Sequence, residues 1–282
     1  MIYEIKNETL KVEISSLGAE MISLKKDGKE RLWQNENGSW AGHAPVLFPK
    51  CGDCRMYVDG KAYEMKNHGL ARYYEFSLVE KTENGIKLSF SSTEETKKLY
   101  PYDFIFTVSY RIDGAKLYVG YEIYNPSDAP MYAFCGSHES YAIDGEVDEY
   151  EIVFEKEESF DSYLHNPELH ALTGETVGFG KGKRLALPKD FMEDNTLIFK
   201  NVNSREVELF KIGGEKIAKL SFDGFDNLLL WHSPKSRMVC IEPWHNLPDM
   251  KGEETKELSL RDGAQKVEPK SKRYFEHVIE YF

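Results

Sequence analysis

The chain lacks the features that mark membrane, secreted and disulfide-stapled proteins. It has no run of about twenty apolar residues, the length that a membrane-spanning helix needs. Residues 1–6 lack the basic start and apolar middle of a signal peptide. Only 4 of the 282 residues are cysteine, too few for a disulfide framework in a chain this long. These absences predict a cytoplasmic protein that does not bind a membrane.

Basic residues are scarce relative to acidic ones. Lysine and arginine number 36 against 48 aspartates and glutamates, which gives a formal net charge of -12. Nucleic acids and anionic membrane surfaces are bound through basic patches, so this balance argues against both as partners. The charge predicts solubility and leaves the function open.

Paired metal-ligand motifs are also incomplete. Cys51 and Cys54 have the spacing of half a zinc site or a redox pair, whereas Cys135 and Cys240 stand alone in the sequence. A structural zinc ribbon needs a second pair, so we expect free thiols and no bound metal. The alternative is a metal site that joins Cys51, Cys54, His138 and Cys240.

Helical periodicity is nearly absent, and alternation with period two takes its place. Residues 104–112 and 117–123 alternate apolar and polar side chains around Asp113-Gly114, which predicts a hairpin. Residues 274–282 alternate in the same way. Many short strands predict an all-β, mostly antiparallel sandwich or barrel-like sheet pair. We expect one domain over residues 1–282, and the sequence leaves open whether strand edges pair in a homodimer.

Three segments depart from this pattern. Residues 93–100, which stop before Pro101, favour a short helical turn. Residues 155–189 are polar and rich in glycine, which predicts long surface loops. Residues 191–199 then predict a strand with acidic residues at its entry.

Residues 238–249 contain the strongest candidate for chemistry. Glu242 follows the apolar run Val239 to Ile241, which predicts a carboxylate at the mouth of a buried strand that Pro243 and Trp244 close. Burial raises the pKa of a carboxyl group, which makes the carboxylate a usable base. An indole beside it can pack against the apolar face of a sugar ring. The alternative is a surface glutamate in a loop.

Two histidines lie close to glycines that interrupt the strand pattern. His68 precedes Gly69, which permits a close backbone approach, and His138 follows a strand that Gly136 interrupts. Both positions can present an imidazole to a ligand. A histidine that caps a turn and a hydrogen-bonded core histidine are the respective alternatives.

Taken in order, these segments resemble the aldose 1-epimerase (galactose mutarotase) family, and most of all its LacX-like branch. The resemblance begins at Gly18-Ala-Glu20 and extends to the final strand. Its motifs are Ala44-Pro-Val-Leu-Phe-Pro49, His68-Gly-Leu-Ala-Arg72, Gly136-Ser-His138, Thr196-Leu-Ile-Phe199 and Cys240-Ile-Glu-Pro-Trp244.

The resemblance implies a β-supersandwich of the galactose mutarotase type that binds a free hexose without a metal or organic cofactor. It implies that Glu242 is the catalytic base and His138 the catalytic acid, so that the α and β anomers interconvert by opening and closing the sugar ring. His68 corresponds to a histidine that hydrogen-bonds the sugar, and Trp244 to an apolar wall. A negative neighbour such as Glu242 or Asp194 would help to keep His138 protonated.

Two departures from the family pattern weaken the assignment of the substrate. Asp194 is the match for the substrate-binding aspartate, but the segment is one residue longer than the common pattern and Asn195 is the alternative. The family's sugar-binding arginine usually follows the glycine of the proline-rich loop closely. Here Gly52 is followed by Asp53-Cys54, which leaves Arg55 as a substitute for that arginine. Arg55 and Arg72 could instead bind a phosphate. The alternatives are therefore a hexose-6-phosphate 1-epimerase and a carbohydrate-binding or sensing protein without turnover.

Overall fold

The computed structural model describes residues 1–53 and 55–282. Within these residues the chain forms strands that pair antiparallel in five sheets. The strands are β1 Ile2–Lys6, β2 Leu10–Ser15, β3 Met21–Lys26, β4 Lys29–Glu30, β5 Arg55–Val58, β6 Lys61–Glu64, β7 Ser77–Lys81, β8 Gly85–Ser91, β9 Ile105–Asp113, β10 Lys116–Tyr124, β11 Met131–Ala133, β12 Glu139–Ala142, β13 Tyr150–Asn166, β14 Ala171–Ala186, β15 Leu197–Phe199, β16 Glu206–Lys211, β17 Lys216–Ser221, β18 Asn227–Trp231, β19 Met238–Trp244, β20 Gln265–Val267 and β21 Lys272–Tyr281.

Helical structure is brief. The one α-helix among the described residues is α1, Lys189–Met192, and the 3-10 turns are Ala71–Tyr73, Thr96–Lys98, Val147–Glu149 and Leu258–Leu260. The turn at Thr96–Lys98 confirms the helical turn predicted before Pro101. None of these helices is long and apolar enough to cross a membrane.

The largest sheet has nine strands in the order β14-β13-β16-β17-β21-β10-β9-β8-β7. The predicted hairpin is β9 and β10, with Lys116 paired to Asp113 across the turn. The inner face of this sheet packs on a small sheet of order β12-β19-β18-β15, and one buried cluster contains Val108 and Ile279 from the first and Leu230 and Ile241 from the second. The predicted all-β, mostly antiparallel architecture is confirmed.

The prediction of surface loops over residues 155–189 is wrong. This segment belongs to β13 and β14, a long hairpin at one edge of the large sheet. Its pairing shifts register three times, and Gly174, Gly180 and Gly182 have positive φ. β14 is an edge strand whose residues are mostly exposed, so it needs no apolar alternation, and irregular pairing needs glycine. The sequence pattern of this strand is therefore that of a loop.

Two boundaries near the candidate site also differ from prediction. Glu242 is not at the mouth of a strand, because β19 continues through Pro243 to Trp244 and pairs with β18 over that length. Residues 191–196 precede β15 instead of belonging to it, since α1 covers Phe191. The predicted CxxC pair includes Cys54, which lies outside the described residues.

Candidate active site

Four side chains form one row across the small sheet, three on strands and one directly before a strand. Glu139 pairs with Ile241 in β19, so the preceding residue, His138, lies beside Glu242. Glu242 pairs with Leu229 in β18, and Leu229 pairs with Ile198 in β15. Because alternate residues of a strand share a face, His138, Glu242, Leu229 and Ile198 all line the same cavity.

The neighbouring rows add the walls of the cavity. Trp231 pairs with Cys240 one row along β18 and β19, and Thr196 stands next to Trp231 by the register of β15 and β18. In the other direction Trp244 closes the row and donates its indole N–H to the Ser137 carbonyl at 3.0 Å. This hydrogen bond fixes the plane of the Trp244 ring.

His68 reaches the cavity from a loop that needs glycine. His68 itself has φ of +67°, and Gly69 has φ of +84°. A β-carbon on Gly69 would lie 2.3 Å from the Phe48 carbonyl oxygen, far inside contact distance. Gly52 donates its N–H to His68 Nδ1 at 3.1 Å. Since Nδ1 accepts, the proton of a neutral His68 is on Nε2, which is then a donor.

The cavity has a volume of about 590 Å³, within the range of about 300–1,000 Å³ for small-molecule sites. Its polar and aromatic lining comes from loops and strands that are distant in sequence. The lining side chains include Trp40, Asp53, Asn67, His68, Arg72, His138, His165, His170, Thr196, Trp231, Glu242 and Trp244.

Aromatic rings surround the His138 imidazole. Trp40 stacks on it with ring centroids 5.1 Å apart, and Trp231 meets it edge-on at 5.8 Å. His68 packs edge-on against both His138 and Trp244, at 5.4 Å and 5.5 Å. The cavity therefore combines flat apolar walls with a few polar atoms, the composition that sugar rings require.

Burial controls the charge of the central pair. His138 Nδ1 lies 3.5 Å from Glu242 Oε1. Burial raises the pKa of Glu242 well above its usual range, and the charge of Glu139 acts in the same direction. Burial, followed by the Arg72 guanidinium, lowers the pKa of His138 to about 4. Burial also lowers the pKa of His68 well below its usual value.

The expectation that a negative neighbour keeps His138 protonated is wrong. The cost of burying a charged imidazole outweighs the attraction of nearby carboxylates. Asp194 cannot contribute, because it is exposed and does not line the cavity. Burial therefore shifts both groups of this pair towards their uncharged forms.

Glu139 lies on the opposite face of β12, inside the core. It accepts a hydrogen bond from His277 Nε2 on β21, 2.9 Å from Glu139 Oε1. Burial alone would raise the pKa of Glu139, but the charge and the hydrogen bond of His277 lower it. A carboxylate is thus held directly behind the cavity floor, next to His138 in sequence.

Five of the seven residues singled out in the sequence line the cavity together: Glu242, His138, His68, Arg72 and Trp244. Arg55 and Asp194 do not. Arg55 is an exposed residue of β5 and borders a separate cavity of about 30 Å³. Asp194 follows α1 on the surface, and the alternative, Asn195, donates its side-chain amide to the Phe191 carbonyl at 3.1 Å. Thr196 is the polar side chain that this segment contributes.

Several lining residues were not identified from the sequence. Asn67 directly precedes His68, and Trp231 ends the apolar run Leu228 to Trp231, so local signals existed for both. His165 and His170 lie at the tip of the β13–β14 hairpin, which the sequence presented as a loop. Trp40 lies in an irregular segment, where its backbone carbonyl accepts a hydrogen bond from the Trp33 indole N–H at 2.9 Å.

One group in the described residues has donor atoms close enough to hold a metal ion. The ligand atoms of His138, Cys240 and Glu242 all lie within 4.8 Å of one another, and all three residues are buried. This set shares His138 and Cys240 with the metal site considered from the sequence.

The fold and the site together define a mutarotase-like β-supersandwich. A galactose mutarotase-like protein from Lactobacillus casei ATCC 334 superposes with a TM-score of 0.91 at 23% identity over 100% of both chains. A galactose mutarotase related enzyme from Lactobacillus acidophilus superposes with a TM-score of 0.88 at 25% identity, over 100% of this chain and 97% of that one.

The chain belongs to the aldose 1-epimerase family, whose profile matches residues 1–259. The chromosomal and plasmid forms of protein LacX from Lactococcus lactis subsp. lactis are each 32% identical to it over an alignment of 266 residues, and the match covers 88% of this chain and 88% of theirs. Membership supports a general sugar-epimerase function and an isomerase-type enzyme.

Proposed function

We propose that this protein is an aldose 1-epimerase that interconverts the α and β anomers of a free hexose in the cavity, without a cofactor. The observation that carries the proposal is the buried pair of Glu242 and His138, with Nδ1 and Oε1 3.5 Å apart. Mutarotation needs one proton taken from the anomeric hydroxyl and one given to the ring oxygen. A carboxylate and an imidazolium side by side can make both transfers.

The protonation states of the pair suggest how it is activated. With the proton on Glu242 and a neutral His138, neither group is ready for its role. Once the two atoms close from 3.5 Å to hydrogen-bond distance, transfer of this proton from the carboxyl of Glu242 to Nδ1 of His138 creates the base and the acid at once, with no proton drawn from solvent. Glu242 then takes the anomeric proton, and His138 gives its Nε2 proton to the ring oxygen. Ring closure reverses both transfers and returns the pair to its initial state.

The remaining lining residues bind and orient the sugar in this proposal. His68 donates from Nε2 to a ring or anomeric oxygen, because Gly52 occupies its Nδ1. Arg72, Asn67 and Thr196 hydrogen-bond hydroxyl groups. The indoles of Trp40, Trp231 and Trp244 cover the apolar faces of the ring.

A hexose 6-phosphate is the second candidate substrate. The cavity rim contains Arg72 together with His165 and His170 from the hairpin tip. A guanidinium with imidazole N–H donors can bind a phosphate dianion. The acidic Asp53 on the same rim opposes this assignment, so we favour a neutral hexose.

The test is polarimetry on freshly dissolved α-D-glucose, α-D-galactose and their 6-phosphates. We expect the wild type to accelerate the approach to anomeric equilibrium, and Glu242→Gln and His138→Asn each to lose about 10²–10⁴-fold in kcat. Glu175→Gln is a matched control, because Glu175 is exposed on β14.

Each result has a distinct meaning. Loss in both site variants, with the control unchanged and all variants folded, supports the acid–base pair. Acceleration that survives Glu242→Gln would refute it. Binding of sugar without any acceleration would favour a carbohydrate-binding protein without turnover.

A further inference from the structure

We propose that His138, Cys240 and Glu242 form a zinc site in which a zinc ion inhibits the epimerase by occupying its proton-transfer pair. The inhibitory part of this inference rests on the proposed function, whereas the binding part does not.

The first argument is the geometry of the three donor atoms. Zinc bonds of about 2.0–2.2 Å to nitrogen and oxygen place tetrahedral ligand atoms about 3.3–3.6 Å apart. His138 Nδ1 and Glu242 Oε1 are 3.5 Å apart, so this edge of a tetrahedron is already formed. Cys240 Sγ lies within 4.8 Å of both, and a small adjustment of one side chain completes the third ligand.

The second argument is an unsatisfied donor position. His138 is 7% exposed, and its Nδ1 is a buried atom without a hydrogen-bond partner among the described residues. A distance of 3.5 Å to the carboxylate is long for a hydrogen bond. A buried polar atom without a partner is costly, and a zinc ion on Nδ1 would satisfy it.

The third argument is the residue type at position 240. Cys240 neighbours Glu242 on the cavity side of β19 and belongs to a cluster of apolar side chains with Met238, Trp33, Trp40 and Trp231. Its Sγ lies 3.7 Å from the Met238 sulfur. Thiolate, imidazole and carboxylate together form a ligand set that zinc prefers over magnesium or calcium.

Binding balances both protons and charge. Zinc displaces the proton of the Cys240 thiol and the proton of the Glu242 carboxyl to solvent, and His138 binds through its neutral Nδ1. Two anionic ligands then neutralise the dication, which limits the cost of holding it in a buried site. The fourth tetrahedral position is left to water from the cavity.

The consequence for catalysis follows from the shared atoms. Zinc on Oε1 and Nδ1 removes the acceptor for the anomeric proton and blocks proton transfer between Glu242 and His138. It also occupies space beside the reacting end of the sugar. We therefore expect zinc and sugar to compete.

The test uses Cys240→Ala, because Cys240 takes no part in the proposed proton transfers. We expect calorimetry to show one zinc ion bound per wild-type chain and at least about tenfold weaker binding by the variant, since one of three ligands is lost. Cobalt(II) should give a thiolate-to-metal charge-transfer absorption in the wild type that the variant lacks. Cys135→Ala is the matched control, since Cys135 is equally buried and lies outside the cluster.

In the mutarotation assay, zinc should inhibit the wild type and Cys135→Ala and have at least about tenfold less effect on Cys240→Ala, which keeps its basal rate. Equal zinc affinity in the wild type and Cys240→Ala would mean an adventitious ion only and would overturn the site. Activation by zinc would overturn the inhibitory role. If no sugar is epimerised, calorimetry and cobalt absorption still decide whether the site exists, so the two proposals fail separately.

Discussion

At the scale of single residues, the close backbone approach at Gly69 determines the position of the His68 side chain. Its backbone passes so close to Phe48 that a β-carbon would meet the carbonyl oxygen at 2.3 Å, and its φ is +84°. The adjacent His68 N–H donates to the Gly52 carbonyl at 2.8 Å, and Gly52 in turn binds His68 Nδ1. The imidazole is thus oriented by backbone groups that approach closely only because residue 69 is glycine.

Gly69→Ala should therefore destabilise the protein and disturb the site. Strain at positive φ costs about 1–2 kcal/mol and overpacking about 1–3 kcal/mol more, so we expect the free energy of unfolding to fall by about 2–5 kcal/mol in urea titrations. Gly60→Ala is the control, because Gly60 has φ of +72° with nothing within 4 Å of an added β-carbon. Equal losses in the two variants would mean that the contact with Phe48 is unimportant.

The candidate site was predictable from sequence where a polar side chain stands next to an apolar strand pattern or beside a glycine. Glu242, His138 and His68 fall in such places, and all three line the cavity. Asp194 was matched by spacing alone, and a single turn of helix at Lys189–Met192 directs it to solvent. Trp40 and His165 reach the cavity through tertiary contacts that no local pattern encodes.

At the scale of elements, the alternation of side chains along the strands of the small sheet places one set in the core and the other in the cavity. The odd-numbered residues Val239 and Ile241 of β19 belong to the main core, and the even-numbered residues Glu242 and Trp244 line the cavity. Strand pairing then aligns His138 with Glu242, although they are separated by 104 positions in the numbering. The pattern of each strand was visible in the sequence, whereas the pairing that joins the strands was not.

The β13–β14 hairpin acts as the wall of the cavity opposite β12. Leu172, next to the hairpin tip, is buried, packs near Met250 and donates its N–H to the Asp249 carbonyl at 2.7 Å. Lys251 returns a hydrogen bond to the Leu172 carbonyl at 2.9 Å. This attachment holds His165 and His170 at the cavity.

Leu172→Ala should loosen the hairpin tip without altering the proton-transfer pair. Loss of buried side-chain volume weakens the attachment, and we expect KM for the sugar to rise about tenfold, equivalent to about 1.4 kcal/mol, with kcat nearly unchanged. Thr176→Ala, at an exposed position of the same strand, should change neither constant. A lower kcat at constant KM would show that the tip acts on the chemistry instead of on binding.

At the scale of the whole molecule, the packing of the two sheets leaves neutral imidazoles inside the protein. His245 follows β19 and is 3% exposed. Its ring stacks on Phe225 with centroids 4.6 Å apart and meets Phe275 edge-on at 4.3 Å. Its Nδ1 accepts the Cys135 N–H at 3.1 Å. Burial, with a further contribution from the charge of Arg273, lowers the pKa of His245 to about 3.

This lowered pKa makes stability depend on pH. The unfolded imidazole binds a proton below about pH 6.5, whereas folded His245 does so only below about pH 3. Between these values the unfolded state binds more protons, so the free energy of unfolding falls as pH drops, by about 1.4 kcal/mol per pH unit for this one group. Above about pH 6.5 both states are neutral, and the group contributes no pH dependence.

His245→Asn should therefore flatten the acid side of the stability curve. The amide oxygen can still accept the Cys135 N–H, so the variant removes the titrating group while it keeps an acceptor. We expect urea titrations from pH 7 to pH 4 to show that the free energy of unfolding falls with a slope shallower by about 1.4 kcal/mol per pH unit than in the wild type. The free energy of unfolding at pH 7 should also be lower than in the wild type, because the ring packing is lost. Phe275→Leu, which weakens the same packing and removes no titrating group, should lower the whole curve without changing its slope. If His245→Asn and Phe275→Leu have the same slope, the acid sensitivity of this protein arises elsewhere.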